Sequence, residues 1–554
     1  MKKSIVYILS IICFLFVGSG IVFSNNSNKE TTRNLNIFNS VYKALHTNYV
    51  DSIDAENSIK AAINAMLYKI DPYTTFYSTD TEYKEDVDEE YAGIGSQHIM
   101  RDSNLYITYV VEGFPAQKSG IKIGDQLIAI NDTIITKAQL DNISEKIRGE
   151  KGTKVKLTVK RPYSTDSIIS FDITREIIKP NTVPYYGVIR NDIGYISLTS
   201  FKSDSYKKVK EALIELKKDP QVKSIILDLR NNGGGIVTSC IDILSLFLPK
   251  NTEILNTRGK DGVLLETYKT QYKPIDAKIP LVILINNYSA SASEVVAGSL
   301  QDLDRAVIIG SRSFGKGLVQ STIPCAYDSY LKVTTAKYYL PSGRLIQAID
   351  YSHRNADGSV ARTPDSLTNV YKTSKGREVR DGGGITADIT IQPHKYSPLT
   401  INAVNEYLIF DYATYFAATN PSIPSPDKFE ITDSIFDDFK KFTHTHSFKY
   451  DKVCETELNS LRKTAEKEGY MTDSVKAQFD ILEKMLRHDL DKDLEKNRQE
   501  ISQILSQSIV ERYYHSTGEL INALQFDTHI EEAAKVLHDL QKYNSILNPQ
   551  NSKK

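Results

Sequence analysis

The run Ser224-Ile225-Ile226-Leu227-Asp228-Leu229 constrains this chain most, because a nearly unbroken apolar stretch of that kind reads as a strand buried on both faces. Such a strand needs a sheet with cover on each side. Gly194–Leu198 reads the same way, and Ser203–Lys218 between them is helical, which makes a β-α-β unit. The second strand runs into Arg230-Asn231-Asn232-Gly233-Gly234-Gly235 and then an apolar helix, Ile236–Leu248, stopped by Pro249. Leu281–Ile285 leads into a serine cluster, and Ala306–Ile309 into a glycine-flanked lysine. Ligands in α/β layers sit beyond the carboxyl ends of strands, so these three segments form the candidate site.

The cluster holds Ser289, Ser291 and Ser293. Ser291 and Glu294 have capping-box spacing ahead of a helical pattern, so the plain reading of Ser291 is a helix N-cap. That role is compatible with a nucleophile, since a helix start aims hydroxyl and amides outward. Spacing alone leaves all three serines open. Between His98 and His394 the sequence has one histidine, His353, in the polar stretch Tyr351–Gly358, which reads as a mobile loop. A Ser-His-Asp triad in the core is therefore disfavoured. The remaining base is a lysine, which serves only when burial or nearby positive charge lowers its pKa. Lys316, between Gly315 and Gly317, is suited to lying inside.

Gly310–Lys316 also fits the first seven positions of a phosphate-binding loop. Gly317 stands where a hydroxyl should hold magnesium, and Leu318–Pro324 reads as extended rather than helical. Nucleotide binding is excluded on both counts. In an extended stretch Lys316, Leu318 and Gln320 share a face, so Gln320 can orient the lysine. Gly233–Gly235 could offer backbone N–H groups to an anion, or could simply be a turn where packing excludes side chains.

Bulk properties narrow the partners. A net charge of −1 over 554 residues argues against a general grip on nucleic acid. With Cys13 set aside in the N-terminal apolar run, the other three of the four cysteines, Cys240, Cys325 and Cys454, suggest neither zinc nor a disulfide framework and are expected buried and inert. No metal and no cofactor is expected; His444-Thr445-His446 lacks further ligands. Residues 1–25 carry Lys2-Lys3 before the apolar run Ile5–Phe23, an export signal near bilayer-spanning length. Cleaved signal and retained anchor both remain open, and Ile12 before Cys13 disfavours lipoprotein processing. Everything after residue 25 is expected outside the cytoplasm, in the periplasm or cell envelope.

Thr32–Ile70 reads as two helices within a helical region at 32–87, closed at Asp71-Pro72. Over about 88–178 the pattern changes to short strands and turns. Gly93-Ile94-Gly95, the strand Leu105–Val111 and the segment Ser119–Asn131 resemble a PDZ domain of the circularly permuted kind. Such a domain adds a peptide's C-terminal strand to a sheet edge and holds its carboxylate with loop amides. Gly93, Ile94 and Gly95 are the candidates for that loop. Beyond Pro398, glycine becomes sparse and helices dominate, among them Val475–Leu486 and Glu531–Leu547, over 398–554.

LDLRNNGGG, SASASEVVAGSLQD, GSRSFGKGLVQ, LKVTTAKYYLPSGRLIQ and GGGITADI occur here in the order seen in carboxyl-terminal processing (tail-specific) proteases. With the DPYTTFY turn and the PDZ-like insert, the resemblance spans about residues 35–395. It implies an α/β protease core of crotonase-like ββα layers over 180–397, with an inserted PDZ domain and helical N- and C-terminal regions. It also implies Ser291 as nucleophile, Lys316 as general base and Gln320 as its helper. Ala292 and Gly234 would supply the oxyanion-hole amides. Gly233 and Ala387 depart from the family's usual prolines. The expected function is an exported serine endopeptidase that selects proteins by their C-terminal tails. A catalytically inactive PDZ-type scaffold on the same fold is the alternative. Expected partners are proteins or peptides with free C-termini, with no nucleic acid. A homodimer, an adaptor protein and a membrane anchor are further candidates.

Overall fold

The computed structural model describes residues 28–79, 91–136, 142–355, 359–446 and 448–548. The expected export segment, 1–25, lies outside them. Among the described residues no helix is long and apolar enough to cross a membrane. The chain divides into two units, Met1–Lys84 with Gln320–Thr334, and Glu85–Val319 with Thr335–Lys554.

In the first unit, a helix over 28–48 precedes a second, Ala55–Tyr68. Asp54 caps the second by accepting the Asn57 N–H at 3.0 Å. Asp71 Oδ1 then accepts the N–H groups of Tyr73 and Thr74, each at 2.8 Å. This Asx turn launches the strand Thr75–Tyr77, which pairs antiparallel with Tyr330–Lys332.

In the second unit, the module expected at 88–178 is a sheet of strands Ser96–Arg101, Asn104–Val110, Gln126–Ile130, Lys154–Lys160 and Ile168–Thr174, in that order. Its core includes Ile94, Ile107, Leu127, Val155, Leu157 and Ile173, all nearly inaccessible. Ser96–Arg101 is an edge strand among the described residues.

The central sheet runs Tyr186–Ile189, Ile193–Ser197, Ser224–Asp228, Leu281–Ile285, Val307–Gly310, Ile389–Thr390, parallel except at its first edge. Successive residues face opposite layers. Ile225, Leu227, Leu281 and Ile283 pack with the helices Ser205–Leu216, Val237–Leu244 and Ala292–Asp302. Ile226, Val282, Leu284, Val307 and Ile309 pack instead with Ile530, Ala533, Val536, Leu537 and Leu547. The second layer thus comes from the far C-terminus, through Thr528–His538 and Leu540–Leu547. The boundary expected at 397 does not close the core. A third apolar cluster joins Tyr412, Phe436, Phe439, Ile501 and Leu505 within the helical region.

Two expectations are corrected. Within the stretch Tyr351–Gly358, residues 351–354 are not a free loop, because Ile349–Arg354 forms a strand with Val360–Arg362, and Asn355 N–H donates to the Ser359 carbonyl at 2.9 Å; residues 356–358 lie outside the described residues. Of the cysteines among the described residues only Cys240 is buried, and burial pushes its thiol pKa up; Cys325 and Cys454 are exposed. Both of the latter sit at surface ends of elements, where no apolar face asks for them.

Candidate active site

The three serines are distinguished by their surroundings. Ser289 is fully buried; its Oγ donates to the Leu229 carbonyl at 2.7 Å and accepts the Asn286 N–H at 2.9 Å. Ser293 is equally buried and donates to the Asn232 carbonyl at 2.8 Å. Both stitch the cluster to the turn that follows Ser224–Asp228. Ser291 is only half-buried and has φ +56° and ψ −116°, a backbone conformation that L-residues avoid. It sits as N-cap on the helix Ala292–Asp302 and completes a capping box with Glu294. The Glu294 N–H already reaches the Ser291 backbone carbonyl at 2.9 Å, so the hydroxyl at most shares that donor.

The glycine turn lies against this serine. A Cβ on Gly234 would fall 2.8 Å from Ser291 Cβ, 2.7 Å from the Ala290 carbonyl oxygen and 3.0 Å from the Ala292 nitrogen. Gly234 also has φ +102°, so both space and backbone demand glycine. The Gly234 N–H donates to Asn232 Oδ1 at 2.9 Å, and Asn232 Nδ2 donates to the Leu198 carbonyl at 2.8 Å. Asn231 and Asn286 exchange a second pair of bonds, at 2.9 and 2.8 Å, between turn and serine loop. Ala292 is the first helical residue, so its N–H has no partner inside the helix.

Lys316 occupies a half-buried loop between two forced glycines. A Cβ on Gly315, at φ +90°, would overlap Ala348 Cβ. One on Gly317 would press on the Gln347 nitrogen at 3.0 Å. The Lys316 carbonyl accepts the Tyr338 hydroxyl. Leu318–Pro324 is a strand, as the rejection of a phosphate loop requires. Gln320 belongs to the first unit, where its Nε2 donates to Thr334 Oγ1 at 3.1 Å.

Glu294 joins the serine and lysine segments. Its Oε2 accepts the Ser291 N–H at 2.9 Å and the Lys316 N–H at 2.8 Å, and its Oε1 accepts the Gly315 N–H at 2.7 Å and the Ser313 hydroxyl at 2.5 Å. The side chain is fully buried, and burial pushes its pKa up to about 7 against the opposing pull of these donors. The sequence flagged Glu294 as half of a capping box. Its second attachment, to the lysine loop, has no local signature. The structural parts of Asn231, Asn232, Asn286 and Ser313 were likewise unforeseen.

At the start of the 88–178 module, Gly93 ends a strand, Tyr91–Gly93, paired with Glu176–Ile178. The Ile94 and Gly95 carbonyls accept the N–H groups of Ala116 and Val111, each at 2.8 Å. Gly95, at φ +77°, then turns the chain into the edge strand.

Comparison with known proteins agrees with this architecture. Residues 192–352 match the model of peptidase family S41 and residues 84–160 that of the PDZ domain. Residues 399–537 match "Probable PDZ-protease, C-terminal helical domain". The class is thus a serine-type peptidase of family S41 with a PDZ domain and helical terminal regions, as the sequence led us to expect. The chain belongs to the carboxy-terminal-processing proteases. It is 34% identical over 331 residues to the Carboxy-terminal-processing protease of Bartonella bacilliformis, covering 59% of this chain and 75% of that one. A relative from Staphylococcus aureus, "Probable CtpA-like serine protease", is 32% identical over 344 residues, with 61% and 67% covered. Among solved structures, the photosystem II D1 C-terminal processing protease is similar at 23% identity and TM-score 0.37, over 64% of this chain and 92% of that one.

Proposed function

We propose that this peptidase works through a Ser291–Lys316 dyad, on proteins selected by their C-terminal tails, outside the cytoplasm. The observation that carries the reading is the isolation of Ser291. Its two neighbours are consumed by buried structural bonds, while Ser291 stands strained at a helix start, beside the glycine turn, tethered by one carboxylate to the lysine segment.

Neutral Lys316 takes the Ser291 proton as Oγ attacks the peptide carbonyl. Gln320 is the candidate to orient that amine. The developing oxyanion is held by the Ala292 N–H and by the Gly234 N–H, the latter shared with or released from Asn232 Oδ1. Each such donor is commonly worth about 3–4 kcal/mol in the transition state. Lys316 returns the proton to the leaving amine, and water then resolves the acyl-enzyme. Gly93, Ile94 and Gly95 would receive the substrate's terminal carboxylate while its last residues pair with Ser96–Arg101. Export rests on the basic and apolar start of the sequence.

Labelling by an active-site serine phosphonate, followed by peptide mapping, tests the dyad. Label is expected on Ser291 alone, absent in Ser291→Ala and slowed in Lys316→Ala. Label on Ser289 or Ser293 would sink the assignment. Binding of an unfolded protein with an apolar C-terminus, without cleavage, would point to a scaffold.

A further inference from the structure

Asp228 ends the strand that feeds the glycine turn. It accepts the Tyr195 hydroxyl at 2.8 Å and holds Arg230 through the side-chain contacts at 2.9 and 2.5 Å. A second carboxylate meets the same guanidinium from the opposite end of the chain: Asp527 Oδ2 lies 2.7 Å from Arg230 Nη2. All three side chains are largely buried, at 7, 16 and 15% exposure for Asp228, Arg230 and Asp527. Burial alone would lower the Arg230 pKa, but the two carboxylates hold it well above its ordinary value. Burial would raise Asp527, yet His529 and Arg230 keep it far below the usual carboxylate range. Asp527 Oδ1 meanwhile caps Thr528–His538 by accepting the N–H groups of His529 and Ile530 at 2.8 and 3.3 Å.

The carboxylate therefore has two jobs on two oxygens. Capping explains Oδ1. It does not explain why Oδ2 is spent on an arginine one residue before Asn231, at the base of the turn packed on Ser291 and Ala292.

We propose that Asp527 is a positioning residue for the peptidase site, fixing through Arg230 the turn that carries Gly234. The inference rests on the reading of Ser291 as nucleophile beside that turn. Arg230, clamped by one carboxylate from its own strand and one from the C-terminal helix, cannot swing, so Asn231 to Gly234 keep their register on the serine loop. Asp228 alone holds the Arg230 backbone N–H at 3.0 Å and grips the guanidinium from one side; Asp527 adds the hold on Nη2 from the other.

Asp527→Asn separates the two jobs, since asparagine caps a helix as well as aspartate but carries no charge for Arg230. In the full chain, kcat on an unfolded protein substrate is expected to fall about 10- to 100-fold with KM nearly unchanged. Phosphonate labelling of Ser291 should slow in parallel, because the reagent also needs the oxyanion site. Arg230→Lys, which keeps charge but loses the fork, should fall similarly, and the double variant should be no worse than either single. A wild-type kcat in Asp527→Asn, with Ser291→Ala inactive, overturns the positioning role whatever Arg230→Lys does, and leaves the dyad intact. Multiplying losses in the double variant overturn it too, by showing that the two residues act separately. Full activity in Ser291→Ala would instead bring down the underlying reading. Should Asp527→Asn fail to fold, Asp527→Ser, which also caps a helix and carries no charge for Arg230, decides on the same kcat-against-KM split.

Discussion

Glu294 shows how much one buried side chain can organise. Four donors from two segments converge on its two oxygens, more than the single oxygen of a glutamine can accept. Glu294→Gln has nearly the same shape but offers one acceptor oxygen and turns an NH2 towards two of those donors. We expect at least a 100-fold loss of activity and a destabilisation of about 2–4 kcal/mol, read from steady-state kinetics and urea unfolding. The pH dependence has a definite sign. With a folded pKa raised to about 7 from 4.5, the residue's contribution to stability is full below about 4.5 and is lost as pH rises through 7. The wild type should therefore lead Glu294→Gln by roughly 2–3 kcal/mol more at pH 5 than at pH 8. Equal differences at the two pH values would show that burial does not control this carboxyl.

At the scale of elements, the glycine turn and the serine loop behave as one unit held by asparagines. Gly234 and Gly233 make a direct comparison. The first has φ +102° and no room for a Cβ; the second has nothing within 4 Å of that position. Gly234→Ala should cost about 1–3 kcal/mol of stability and most of the activity, whereas Gly233→Ala should stay within about 0.5 kcal/mol and keep its kcat. Thermal melts and kinetics on the pair check this. The strands and helices of this region were legible in the sequence, because apolar runs and helical spacing are local signals. So was the trio of segments at strand ends. What could not be read was the wiring: Asn231 to Asn286, Glu294 to Lys316 and Asp527 to Arg230 are side-chain bonds between distant positions, and no period or spacing announces them. Local signals also overran a break. Glu531–Leu547 reads as one helix, yet it is split at Asp539, whose side chain caps the second piece by accepting the Lys542 N–H at 2.9 Å.

For the molecule as a whole, the order of the chain and the order of the layers differ. The sequence leaves the central sheet after Ile389–Thr390, builds a helical cluster, and returns at Thr528–Leu547 to cover the sheet's second face. Ile226, Val282, Leu284 and Val307 are completely buried there, and most of the buried residues that meet them from outside the sheet come from these two helices. The helices Val453–Lys467 and Asp473–Leu486 are the opposite case: they lie in the same region but bury only Phe479 between them. A chain ending at Gln525 should thus be insoluble or unable to fold, because it exposes an apolar sheet face, while replacing Val453–Leu486 by a flexible linker should leave a soluble, active peptidase. A graded version avoids the all-or-none outcome. Ile530→Ala, wholly buried against the sheet, should lower stability by about 2–5 kcal/mol, and Leu482→Ala, exposed on the dispensable pair, by less than about 0.5 kcal/mol. If Ile530→Ala proved as mild as Leu482→Ala in urea unfolding, the C-terminal helices would be a cover laid over a core that is stable without them.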